Sequence, residues 1–327
     1  MSVCAVKVSV IIPTKNGGHL FGAVLKAVVE QKTDWPFEVV VIDSGSQDAT
    51  LDYARRYDLV RLLEVDPRQF QHGRTRNQAI QGSRGEFIAM ITQDAMPATD
   101  TWLQALVEVM QADTEIAGVF GRHIAYPEAS MFTRHEIAAH FDGFDQAPLV
   151  RLDNPERYAK DTAYRQQLYF FSDNNALLRR AVWQRIPYPE VDFSEDQGWA
   201  RLIIEAGYKK AYSREATVFH SHNYGLWERF QRSFDESLAL TNMFNYPPAP
   251  SSAVMRNWLG LTLRDLKFYM AIGLRSPTLT GLVDVLKMPV DNLMRITGAW
   301  LGSRNGFNSN TLIAVCSRDK KLKRARK

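Results

Sequence analysis

Cysteine is almost missing from this chain: Cys4 and Cys316, near opposite ends, are its only two in 327 residues. Two isolated thiols exclude a disulfide framework and any cysteine-built metal site, and they suit reduced thiols in a cytoplasmic protein. Long apolar runs are missing too. The run after Lys7 stops at Pro13, too soon for a secretory leader, and no stretch reaches the roughly 18 uncharged apolar residues of a membrane span. There is no Asn-x-Ser/Thr sequon. The phosphate-binding G-x-x-x-x-G-K-S/T, the G-x-G-x-x-G fingerprint and the nucleophile elbow are also absent, which argues against kinase, dehydrogenase and hydrolase chemistry. His135-Glu136-Ile137-Ala138-Ala139-His140 is no zinc-protease motif, because its histidines lie five apart and the motif needs four.

What is present is an ordinary globular balance, 45% hydrophobic and 23% charged, enough for one large core and an appended region. The net charge of +4 is unevenly placed. Arg318–Lys327 carries seven basic residues and one acid, a net of +6, which leaves −2 for the rest. Such a tail suits an anionic membrane surface or plain solvation. Nucleic acid is not the expected partner, since no zinc-finger spacing, RNA-recognition signature or aromatic-basic stripe accompanies it.

Short apolar runs at Val8–Ile12, Glu38–Ile42, Val60–Val65 and Phe87–Ile91 read as strands. Between them, Leu20–Gln31, Asp48–Tyr57 and Thr75–Gly82 have helical spacing. This alternation predicts an α/β domain with a mainly parallel sheet flanked by helices on both faces. Ligands of such sheets bind beyond the carboxyl ends of the strands, at Pro13–Gly18, Asp43–Asp48 and Thr92–Pro97. Further on, Thr101–Gln111 reads as a helix capped by Thr99 or Asp100, Gly118–Ile124 and Leu168–Arg179 as strands, Asp196–Ala206 as a helix and Lys210–His222 as a strand. From about Trp227 long amphipathic helices follow, broken at Pro247-Pro248-Ala249-Pro250. The expected division is 1–228 for the catalytic domain and 229–327 for a helical region with the basic tail.

Several segments carry chemistry. Asp43 ends the second strand, where it can accept a hydrogen bond from a nucleobase imide or ribose hydroxyl; a turn-and-cap role for Asp43–Thr50 is the alternative. Asp94 ends the fourth strand and is placed either to hold a divalent cation against a diphosphate or to serve as a capping or turn aspartate. Arg74 and Arg76, at a helix start, suit a diphosphate cradle or a charged surface. Glu195-Asp196 opens a helix, where a carboxylate can take a proton from a hydroxyl or merely compensate the helix dipole. His220 and His222, two apart on an extended chain, point to one face, as a metal or phosphate site requires.

In order, these segments resemble the inverting GT-A glycosyltransferases of family 2, over roughly residues 7–235. Val10–Asn16 and Val40–Ser46 are similar to that family's first two strands and donor loops, and Glu195-Asp196 to its acid pair. Phe70–Asn77, Thr92–Ala95 and His220–Tyr224 are similar to bacterial rhamnosyltransferases. The resemblance implies a Rossmann-like, nucleotide-binding architecture for the sheet, and a nucleotide-sugar donor whose nucleoside is held by Pro13, Thr14, Asn16 and Asp43, with Arg76, Gln93 and Asp94 at the diphosphate. It implies Mg2+ or Mn2+ bound by Asp94 with His220 or His222, Asp196 as base beside Glu195, and an acceptor wall from Ser172, Asp173, Asn174, Asn175 and Trp199. Thr92 stands where the family's Asp-x-Asp metal motif has its first aspartate, so one carboxylate is lost. The implied reaction passes L-rhamnose from dTDP-β-L-rhamnose to a glycan hydroxyl, the glycan possibly on polyprenyl diphosphate at the inner face of the cytoplasmic membrane. Alternatives are another sugar from a UDP donor, or a silent nucleotide-sugar-binding protein. The aromatics Trp258, Phe268, Tyr269 and Trp300, with Leu261 and Leu286, are expected either at a bilayer interface or packed inside, including at a homo-oligomer contact.

Overall fold

The computed structural model describes residues 5–248, 250–275, 278–304, 310–319 and 321; Cys4 and most of the basic tail lie outside them. In chain order the elements are β1 (Val8–Thr14), α1 (Gly18–Val29), β2 (Phe37–Asp43), α2 (Thr50–Ala54), β3 (Val60–Glu64), α3 (His72–Gln81), β4 (Phe87–Ile91), β5 (Met96–Pro97), α4 (Trp102–Gln111) and β6 (Ile116–Ile124). Then come α5 (Met131–Asp142), β7 (Leu149–Val150), α6 (Pro155–Lys160), α7 (Thr162–Tyr169), β8 (Asn175–Arg179), α8 (Arg180–Trp183), α9 (Glu195–Glu205) and β9 (Lys209–Phe219). The chain ends with α10 (Leu226–Phe244), α11 (Ser251–Ile272), α12 (Leu279–Gly302) and α13 (Asn310–Cys316).

One sheet runs in the order β3-β2-β1-β4-β8-β6-β9-β5, with β7 on β9. The strands β3, β2, β1 and β4 are parallel, as are β6 and β9. The antiparallel β8 is inserted between β4 and β6. β1, β2 and β4 are apolar almost throughout because both faces are covered. Val8, Val10, Ile12, Val39 and Val41 face one core, with α1 and α4. Ile11, Val40, Ile42, Ile88 and Met90 face the other, with α3 and α9. In α1 the buried Phe21, Val24, Leu25 and Val28 follow the three-and-four spacing that lays one stripe on the sheet.

The expected strand over Leu168–Arg179 is corrected to a helix, a turn and a shorter strand. Asp161 accepts from the amides of Ala163 and Tyr164, nucleating α7, so Leu168 and Tyr169 lie on a helix face. Lys210 then closes α7, donating to the carbonyls of Gln167, Leu168 and Phe170. The cap of α4 is neither Thr99 nor Asp100: Asp100 pairs with Lys32, and Gln31 Oε1 accepts from the Leu103 amide.

The chain forms two compact units. The first holds the residues to Tyr126 and Ile137–Ser221, hence the whole sheet. The second holds Pro127–Glu136 and the residues from His222 on. The division therefore falls at 221/222, not after residue 228, and ten earlier residues join the helical unit because the start of α5 packs there: Arg295 pairs with Glu136, and His135 stacks on Phe268. Within this unit α12 lies close on α10, where a Cβ at Gly298 or Gly302 would come 2.3 Å from the Phe230 and Phe234 carbonyl oxygens.

Candidate active site

The carboxyl ends of β1, β2 and β4 meet at one edge of the sheet, and hydrogen bonds lace their loops together. Gln93, after β4, accepts from the Thr14 hydroxyl and the Lys15 amide, both at 2.8 Å. The Asn16 amide donates to Ser46 Oγ, and Asn16 Oδ1 accepts from the Gln47 amide, with Asn16 in the left-handed region at φ 49°. Pro13 remains part of β1, opposite Ile42. Asp43 is buried and accepts from the amides of Gly45 and Ser46 and from the Ser46 hydroxyl. Asp43 and Gln93, expected as donor ligands, thus have their oxygens engaged in shaping the loops, while Asn16 is exposed, as are Gln47 and Asp48 in the loop after β2.

Beside this edge stands a buried acid cluster. α9 begins after Ser194, a non-glycine residue held at φ 58°, and carries Glu195 and Asp196 in its first turn. Strain of that kind survives only where the surroundings enforce it. Arg76, from α3, is 5% exposed and reaches Glu195 Oε1 at 2.7 Å and Asp173 Oδ2 at 3.0 Å. Asp173 is buried as well and accepts from the Tyr188 hydroxyl. Asp196 accepts from the Gln197 amide at 2.8 Å and from the Asp173 amide at 3.3 Å.

Three carboxyl groups therefore share one guanidinium, and away from water they do not all ionise freely. Burial, together with the charge of Glu195, pushes the Asp196 carboxyl up to about 7, against the pull of the Gln197 amide and Arg76. Burial also raises Asp173 well above the usual carboxylate range, with Arg76 opposing it. Asp196 keeps more surface than Glu195 or Asp173. It is a half-buried carboxylate poised near neutrality, the condition for a general base.

The segment 72–77 builds this cluster. Asn77 accepts from Trp183 Nε1 and the Tyr188 amide and donates to the Tyr188 carbonyl, fixing the chain that leads to α9. A Cβ at Gly73 would lie 1.9 Å from the Pro189 oxygen, so only glycine lets α3 approach. Arg74 pairs with Glu190. The expected diphosphate contact of Arg76 is thus corrected: its guanidinium is held inside the protein by two acids.

Residues 9–186 match the family described as glycosyl transferase family 2. The chain belongs to that family. This glycosyltransferase is 36% identical over 232 residues to the O-antigen chain rhamnosyltransferase RfbN of Salmonella typhimurium, covering 70% of this chain and 71% of that one. It is 31% identical over 230 residues to the O-antigen chain rhamnosyltransferase WbaN of Salmonella anatum, covering 69% and 70%. The fold resembles that of the mannosyltransferase PcManGT from Pyrobaculum calidifontis, solved in complex with GDP-Man and Mn2+, at a TM-score of 0.61 and 18% identity over 94% and 89% of the two chains.

In the glycosyltransferase Asp94 follows β4, and His220 follows β9. Their Oδ1 and Nε2 lie 3.7 Å apart, too long for a hydrogen bond and close to the spacing of two ligands around one cation. Tyr126, which carries no recognisable motif, ties the two loops: its hydroxyl donates to the Asp94 carbonyl and its amide to Ser221 Oγ. Behind His220 sits His123, buried and held well below the usual histidine range by burial and by His220. His222 opens the second unit and stacks on Tyr224.

The expected acceptor wall divides. Asn174 approaches His220, Nδ2 to Nδ1 3.4 Å, and Ser172 is half-buried beside it in the chain. Asn175 and Trp199 are corrected to core residues. Asn175 accepts from Trp102 Nε1 and donates to the Arg122 and Ala216 carbonyls, and Trp199 is 0% exposed, donating to the Ile186 carbonyl. Asp173 belongs to the acid cluster.

Proposed function

We propose that this glycosyltransferase moves L-rhamnose from dTDP-β-L-rhamnose to a glycan hydroxyl in a single inverting displacement. The observation that carries the mechanism is the acid cluster, in which burial and Glu195 bring Asp196 near neutrality. Asp196 takes the proton of the acceptor hydroxyl as its oxygen attacks the anomeric carbon from the face opposite the nucleotide. Glu195, Asp173 and Arg76 hold Asp196 in place and set its proton affinity. The loop from Pro13 to Asn16, shaped by Asp43 and Gln93, receives the nucleoside. The names of the two Salmonella relatives support rhamnose as the sugar.

Asp94 and His220 offer one carboxylate and one imidazole 3.7 Å apart, a donor set that fits Mn2+ better than the oxygen-seeking Mg2+. Such a cation would neutralise charge on the departing nucleoside diphosphate. Among the described residues no helix is long and apolar enough to cross a membrane. The acceptor is proposed to be polyprenyl-diphosphate-linked, on the inner leaflet of the cytoplasmic membrane, with the +6 segment Arg318–Lys327 drawn to anionic lipid. A donor screen tests the reading: sugar nucleotides in parallel, scored by nucleoside diphosphate released with acceptor present. Release from dTDP-rhamnose alone is expected, and release only from a UDP-sugar refutes the donor.

A further inference from the structure

The helices α11 and α12 carry an apolar face that their own unit leaves uncovered. Leu259, Leu263 and Leu266 are exposed on α11, and Leu282, Leu286 and Val290 on α12; Leu279 and Leu286 reach 79% exposure. Intervals of three and four residues place each set on one stripe. On α12 the opposite side is buried, with Met288 packed inside and Asn292 donating to Asp265. The aromatics that the sequence offers to a bilayer are turned inward: Trp258 donates to the Pro289 carbonyl, Phe268 stacks on His135, and Tyr269 is buried. The uncovered face is aliphatic.

Charge identifies what it meets. Among residues 251–302, every exposed ionisable side chain described is basic: Arg256, Arg264, Lys267, Arg275 and Lys287. The three acids of that stretch are not exposed; Asp265 is buried, and Asp284 and Asp291 are partly so. A second copy docking through the same face about a two-fold axis would set this basic patch against the same basic patch, with no exposed acid of residues 251–302 to offset it. An anionic lipid surface satisfies both features, taking leucine side chains among the acyl chains and the basic groups at the phosphates.

We infer that the α11–α12 face docks on an anionic bilayer. The inference rests on the membrane location proposed above but names a different anchor from the basic tail, and the two separate by salt. Attraction of the tail is screened at about 0.5 M salt, where the Debye length falls to a few ångström, whereas buried apolar area persists.

Flotation of the full chain with phosphatidylcholine vesicles, with and without phosphatidylglycerol, is the test. The wild type should float more completely with the anionic vesicles at low salt and retain a bound fraction at high salt. Leu279→Glu/Leu286→Glu should lose that salt-resistant fraction by about tenfold or more. Leu259→Glu/Leu263→Glu repeats the test on the other helix, and unchanged circular dichroism melts confirm that each variant is folded. If the variants float like the wild type at high salt, the face is not the anchor, although the membrane reading stands. If the wild type floats with neither vesicle, both fall. Concentration-dependent dimerisation of the wild type, lost in the variants without any vesicle effect, would assign the face to a second copy.

Discussion

Replacing Asp196 with asparagine separates a catalytic carboxylate from a structural one. Asparagine keeps the shape and the contact to the Asp173 amide but cannot take a proton. General base catalysis contributes about 10²–10⁴-fold, so turnover should fall by that factor while donor affinity holds. Stability should move the other way. Burial and Glu195 raise the Asp196 carboxyl to about 7 from an ordinary 3.8, so the fold favours its protonated form. Whatever Asp196 contributes to stability is present below pH 3.8 and lost as pH rises towards 7. The asparagine variant, neutral throughout, should melt at or above the wild-type temperature at pH 8. The wild-type enzyme should also show its base titrating: about one-tenth ionised at pH 6 and about nine-tenths at pH 8, hence a roughly tenfold rise in single-turnover rate. Single-turnover rates from pH 5.5 to 8.5, with melts in the same buffers, read all three quantities. A variant that keeps near-wild-type turnover, or loses stability and activity together at pH 8, refutes the assignment.

Other perturbations read neighbouring parts of the argument. Gly73→Ala places a methyl within 1.9 Å of the Pro189 oxygen; it should cost about 1–3 kcal/mol in urea denaturation and slow turnover by displacing the chain to Asp196. Asp94→Ala should cut Mn2+-stimulated turnover about a hundredfold and weaken nucleoside diphosphate binding in calorimetry; wild-type activity unchanged by chelator would contradict this. Lys210→Met leaves three carbonyls at the end of α7 without their donor, and urea melts should show a loss of about 2–4 kcal/mol with turnover per folded enzyme intact.

The parallel strands were legible because a strand covered on both faces must be apolar at every position, as Val39–Ile42 and Phe87–Ile91 are. Glu195 and Asp196 were legible as a pair at a helix start. Their environment was not, since it depends on Arg76 and Asp173, residues far apart in sequence that meet only in the fold. For the same reason Arg76 read as a diphosphate ligand, and Asn175 and Trp199 as wall residues, when burial gives all three internal partners. Leu168–Arg179 read as one strand because two short apolar runs, Leu168–Phe171 and Ala176–Leu178, flank the polar Ser172–Asn175, while the bonds that start the helix are made upstream at Asp161. Tyr126, Tyr188 and His123 act through hydrogen bonds or ring contacts to residues distant in sequence, which leave no periodic trace.

The stereochemistry of the product tests the central claim most directly. Attack by an acceptor oxygen deprotonated at Asp196, opposite the leaving nucleotide, inverts the anomeric centre. With dTDP-β-L-rhamnose as donor, the one-bond carbon–proton coupling at the anomeric carbon of the purified product should be that of an α-L-rhamnoside. A β-linked product would require two displacements or same-face attack, and would contradict the account of the acid cluster.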